Sequence, residues 1–95
     1  MTVRPIHPGE ILADELRELK VTAAELARQI KVPPNRLSQI INGKRSITGD
    51  TALRLGHWFG TSAQFWLNLQ AAHDLEAAEA AVGKAVSRLP RRTAA

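Results

Sequence analysis

Apolar side chains return along this chain at helical spacing, in short bursts separated by turn-forming residues. Ile11, Leu12, Leu16 and Leu19 make the first burst, with the period of one helix face. His7-Pro8 precedes it: proline suits a first helical position, and Glu10 falls in the first turn, where exposed amides favour an anion. A helix is predicted from there to about Lys20. Thr22-Ala-Ala-Glu25 has the spacing of a capping box and opens a second face of Leu26, Ala27 and Ile30. Lys31-Val-Pro-Pro34 then breaks that helix, because a proline disfavours helical geometry in the residue before it. Pro34 is itself placed to open a third helix. Leu37, Ile40 and Ile41 are its buried side, and Asn42-Gly43 stops it.

Thr48 is expected to cap a fourth helix, with Asp50 in its first turn and Ala52, Leu53, Leu55 and Phe59 facing the core. Gly60 ends it. Thr61-Ser-Ala-Gln64 offers another capping box for a fifth helix, which carries Phe65, Trp66, Leu67, Leu69, Ala72 and Leu75 and reaches about residue 82. No alternating strand pattern competes. The reading is all-α, with a loose segment at 1–6, a helical domain at 7–82 and a basic tail at 83–95 expected to lack regular structure.

The spacing at 22–42 changes this from a fold into a surface. A short helix, a tight turn and a second short helix would lock through Leu26, Ala27, Val32, Leu37 and Ile40, with the small Ala27 allowing the helices to cross closely. The second helix then presents its first turns outward, and a helix so presented fits the DNA major groove. Asn35, Arg36 and Gln39 lie on the outer side: amides suit adenine, a guanidinium suits guanine or phosphate. Lys44 and Arg45, just past the helix, are placed for phosphate, as are the amides near Thr22. The residues alone also fit a plain αα-hairpin whose polar face is merely wet.

Charge favours the DNA reading. Thirteen Lys and Arg against nine Asp and Glu give the 95-residue chain +4. From Arg28 to Arg54 there are six basic residues and one acid, Asp50, so that this segment alone carries +5. The basic field belongs to the middle, and its natural partner is a polyanion. Other classes lose ground. With no cysteine there is no disulfide or thiolate metal site, and His7, His57 and His73 fall into no ligand or nucleophile–base motif. No enzyme activity, metal or cofactor is expected. No apolar run approaches the roughly 20 residues of a membrane span, and no signal-type segment follows Arg4, so the expected location is cytoplasmic, with no membrane partner.

Phe65 and Trp66 cannot share one narrow helix face, and Leu67 with Leu69 widens the apolar surface further. Part of this helix is expected to join a dimer or partner surface; the alternative is that the aromatic pair only closes the core. A reader of this size commonly pairs two half-sites as a dimer.

Residues 22–45, TAAELARQIKVPPNRLSQIINGKR, resemble the helix-turn-helix of phage-repressor (XRE) type. With HPGEIL at 7–12 and ITGDTALRLGHWFGTSAQFWLNLQAAHDL at 47–75, the chain is similar to the HigA antitoxins of bacterial toxin–antitoxin modules, a VapI-like group. The resemblance covers roughly residues 5–76. It implies a five-helix lambda-repressor-like domain, usually a homodimer, that binds operator DNA and represses its own operon. It also implies neutralisation of a RelE-like toxin, HigB, which cleaves mRNA. The family's base-reading positions fall on Pro34, Asn35, Arg36 and Gln39, and its backbone contacts on Lys44 and Arg45. Pro34 has no polar group to offer and is left with packing, for example on a thymine methyl. Lys31 stands where the turn often has glycine, and bears strain if φ is positive there. His73 stands where the family often has tyrosine, and is counted with Phe65, Trp66 and Leu69 as dimer or partner surface. The alternative within the superfamily is a stand-alone repressor without a toxin.

Overall fold

The computed structural model describes residues 5–93; most of the expected loose segment, residues 1–4, lies outside that range. Five helices follow one another: α1 (Pro8–Leu19), α2 (Ala23–Ile30), α3 (Pro34–Ile41), α4 (Gly49–Phe59) and α5 (Ala63–Ser87). Among the described residues there is no strand.

The helix starts show which side chains satisfy the free amides. His7 caps α1: its Nδ1 accepts from Gly9 N–H at 2.9 Å, while Glu10 accepts from His7 N–H at 3.1 Å. Thr22 Oγ1 accepts from Glu25 N–H at 3.1 Å. The Glu25 carboxylate pairs with Arg28 and Gln29 instead of returning to Thr22, so half of the expected box is present. At α5 the cap is Ser62, accepting from Phe65 N–H at 3.0 Å, one residue later than expected. Thr61 Oγ1 is thereby left to accept from the Trp66 indole at 3.1 Å.

Leu12, Leu26, Ala27, Leu37, Ile40, Ala52 and Leu55 are fully buried in one core, with Trp66 only 1% exposed. α2 packs on α3, α4 on α5, and α1 bridges α3 and α5. The approach of α1 to α3 is close enough that a Cβ on Gly9 would collide with the Ile40 carbonyl. Trp66 corrects the expected interface: its ring lies between Phe59 and Phe65, each centroid 5.2 Å away. It closes the core and offers no surface.

The expected stop near residue 82 also gives way. Gly83 keeps helical geometry, whereas Gly43 and Gly60 take φ of 75°, and α5 runs on to Ser87. Glycine within a helix costs about 1 kcal/mol relative to alanine, which alanine-rich neighbours absorb. The actual stop is Pro90, which bars Leu89 from helical geometry. A 25-residue helix is about 37 Å long at 1.5 Å per residue, which gives the molecule its 53 Å long axis.

Candidate nucleic-acid interface

α2 ends at Lys31, whose φ of 60° and ψ of 49° are left-handed. Lysine therefore occupies a conformation that favours glycine. Val32 follows, buried, its N–H donating to Ala27 O at 3.0 Å. Pro33 and Pro34 then start α3 with no side-chain cap; neither has an N–H to satisfy, and the Arg36 N–H donates to Pro33 O at 3.0 Å. The turn is three residues long, 31–33.

On α3, Leu37 and Ile40 are fully buried. That fixes the opposite face, where Asn35, Ser38 and Asn42 are exposed and Gln39 is half-buried. Among the described residues, neither the Asn35 nor the Gln39 side chain has an intramolecular hydrogen-bond partner. The helix ends with Gly43 N–H on Ile40 O at 3.0 Å and Lys44 N–H on Gln39 O at 2.8 Å, a left-handed glycine termination. It sets the exposed Lys44 and Arg45 directly beyond the open face. Ile47 anchors the far side of this loop: it is 3% exposed, and its N–H donates to the buried Gln70 Oε1 on α5 at 2.7 Å.

Arg36 differs from the other expected readers. Its Nη1 donates to Asp50 Oδ2 at 2.6 Å, pulling the side chain toward α4 at 27% exposure. Asp50 also accepts from Arg54 Nε at 3.2 Å, and Arg54 Nη1 donates to Ile30 O, at the end of α2, at 2.8 Å. Hydrogen bonds from Arg54 and then Arg36 hold the Asp50 carboxyl below its ordinary value. Asp50, Arg54 and Gln70 are not among the contact residues expected from the sequence. Asp50 was detectable as the one acid of the basic segment; Gln70 had no signal.

Of the proposed partner residues, Phe65 is 42% exposed. Leu69 packs on the core, and His73 lies edge-on to His7, ring centroids 4.8 Å apart. Burial, then the neighbouring His73, lowers the His7 pKa. The larger apolar exposure is further along α5, where Leu75, Val82 and Val86 are 70%, 50% and 54% exposed at a spacing that places them on one face. Among the described residues no group of His, Cys, Asp or Glu is arranged to hold a metal, and no helix is long and apolar enough to cross a membrane.

Two crossed short helices, a three-residue turn and an open polar face beside exposed basic side chains make a helix-turn-helix domain. The helix-turn-helix family model matches residues 12–66. Virulence-associated protein I of Dichelobacter nodosus is 51% identical over 75 residues, 78% of this chain and 69% of that protein. An addiction module antidote protein of the HigA family from Coxiella burnetii superposes with a TM-score of 0.92 at 51% identity, over 96% of this chain and all of that one. Antitoxin HigA of Pseudomonas aeruginosa, solved with the higBA promoter, gives 0.90 at 47% identity, over 96% and 100%. The chain belongs to the helix-turn-helix family, in its HigA antitoxin group.

Proposed function

We propose that this chain is the antitoxin of a type II toxin–antitoxin module, binding operator DNA as an autorepressor and neutralising a RelE/HigB-like mRNA endoribonuclease. The observation that carries the DNA half is the α3 face: among the described residues the Asn35 and Gln39 side chains have no hydrogen-bond partner, and exposed Lys44 and Arg45 adjoin them. The P. aeruginosa relative, solved with promoter DNA, supports the DNA-binding reading.

A homodimer places two α3 helices in major grooves one helical turn, about 34 Å, apart on a pseudo-palindrome. The Asn35 and Gln39 amides read base edges, with Pro34 packing beside them. Lys44, Arg45 and the α2 amides near Thr22 hold phosphates and set the register. Arg36, expected from the sequence to read bases, is turned toward Asp50 and stands outside this reading set. Phe65, Leu69 and His73 line α5 on the dimer or partner side, and Leu75, Val82 and Val86 make a second apolar stripe about 120° around the helix. Occupancy of an operator overlapping the promoter excludes RNA polymerase.

The two halves are tested separately. Fluorescence anisotropy on duplexes from the chain's own upstream region is expected to show saturable, sequence-dependent binding. Absence of saturable binding would remove the repressor reading. Co-expression with the adjacent reading frame is expected to yield a stable complex with a small basic protein and relief of its mRNA cleavage. A DNA-binding chain that neither captures that protein nor restrains it would be a stand-alone repressor.

A further inference from the structure

Asp50 is the single acid between Arg28 and Arg54, and it is exposed. A carboxylate there opposes the phosphates that the segment's cations attract. Its oxygens are engaged by Arg36 at 2.6 Å and by Arg54 at 3.2 and 3.3 Å. Arg54 reaches on to the Ile30 carbonyl at 2.8 Å. The contacts therefore tie α2, α4 and α3 together along the side of the motif. Around α3, Gln39 lies about 40° from Asn35 and Arg36 about 100° away, at the edge of the open face.

We propose that Asp50 is a specificity-determining positioning residue: it holds Arg36 away from the duplex, so that α3 reads through Asn35 and Gln39. The proposal rests on the DNA-binding reading above. A free guanidinium at the edge of α3 reaches phosphate in whichever register the motif docks, so it adds most to non-operator complexes, where Asn35 and Gln39 do not fix the register. Restraining it lowers binding to the wrong sequences more than to the right one, because specificity is a difference of affinities. The same two hydrogen bonds lower the Asp50 pKa, so the restraint stays charged at neutral pH.

The experiment is an anisotropy titration of the full chain on operator and scrambled duplexes across a salt series, with Asp50→Ala, Asp50→Asn, Arg36→Ala and the Arg36→Ala/Asp50→Ala double variant. Asp50→Ala is expected to bind scrambled DNA more tightly and to steepen the salt dependence by about one unit of log–log slope. It is expected to narrow the operator-to-scrambled ratio by about tenfold. Asp50→Asn, which keeps a neutral acceptor, should shift both in the same direction by less. Arg36→Ala should leave the ratio within about twofold of the parent, and the double variant should recover most of the parent's slope.

Two results overturn the proposal. One is an unchanged slope and ratio in the folded Asp50 variants, which leaves Asp50 a stability role alone. The other is collapse of operator discrimination in Arg36→Ala, which makes Arg36 a reader; this arm keeps Asp50 and stands even where Asp50→Ala does not fold. A parent chain that binds no duplex saturably overturns the DNA reading itself, whereas normal parent binding with unaltered variants overturns only the role of Asp50.

Discussion

Replacing Trp66 by alanine separates a core residue from an interface residue. The indole is 1% exposed, touches Phe59 and Phe65, and donates to Thr61 Oγ1 at 3.1 Å. Truncation removes a large buried ring and leaves a cavity between α4 and α5, a change worth about 3–5 kcal/mol. A domain of this size has only about 5–15 kcal/mol of stability in total, so a large share is lost. At about 4–8 °C per kcal/mol, thermal unfolding would move well below the parent's midpoint. Trp66→Phe keeps most of the ring volume and should cost less. Urea unfolding followed by circular dichroism, at one fixed protein concentration because association shifts apparent stability, gives the difference directly. In a Trp58→Phe background the remaining fluorescence reports Trp66, and acrylamide should quench it poorly. An unfolding midpoint matching the parent's, with weakened self-association and ready quenching, would refute the core assignment.

Gly9→Ala is expected to destabilise by about 1–3 kcal/mol, since the new Cβ meets the Ile40 carbonyl of the α3 backbone; an unchanged urea midpoint would show that α1 and α3 are not so close. For His7, whose folded pKa is lowered, the unfolded chain takes up its proton first. Stability is therefore full above the ordinary value of 6.5 and falls as pH drops through it toward the folded value. His7→Asn, which keeps a capping side chain, should flatten that limb in pH-dependent unfolding; an identical profile would remove His7 as its source. Asp50 works at the acid end, its contribution present above 3.8 and lost as pH falls through its lower folded value.

The helical plan was legible because it is written locally. Capping residues, two prolines after Val32 and the Asn42-Gly43 stop fix the bounds of α2 and α3 within a few residues. The outward placement of Asn35 and Gln39 followed from the period that buries Leu37 and Ile40. Misreadings arose where a residue's state depends on distant chain. Phe65 and Trp66 are adjacent, and which of them enters the core is decided by where Phe59 and Thr61 lie. Gly83 is a stop signal only if the chain turns left-handed there, and the alanine-rich helix carries through it to the Pro90 boundary. Arg36 looked free because its partner, Asp50, is fourteen residues along, in the first turn of α4. The link from Ile47 to Gln70 spans twenty-three residues and is equally invisible to periodicity.

The central claim is that the open face of α3 reads DNA, and comparison of Gln39→Ala with the parent tests it most directly. Anisotropy titrations on the upstream operator and on a scrambled duplex, at one stated salt concentration, should give the parent a preference for the operator of about a thousandfold or more. Gln39→Ala should weaken operator binding by about 1–3 kcal/mol and leave scrambled-duplex binding unchanged. Equal affinity of the parent for both duplexes, or a variant that loses nothing on the operator, would contradict the assignment of α3 as the reading helix.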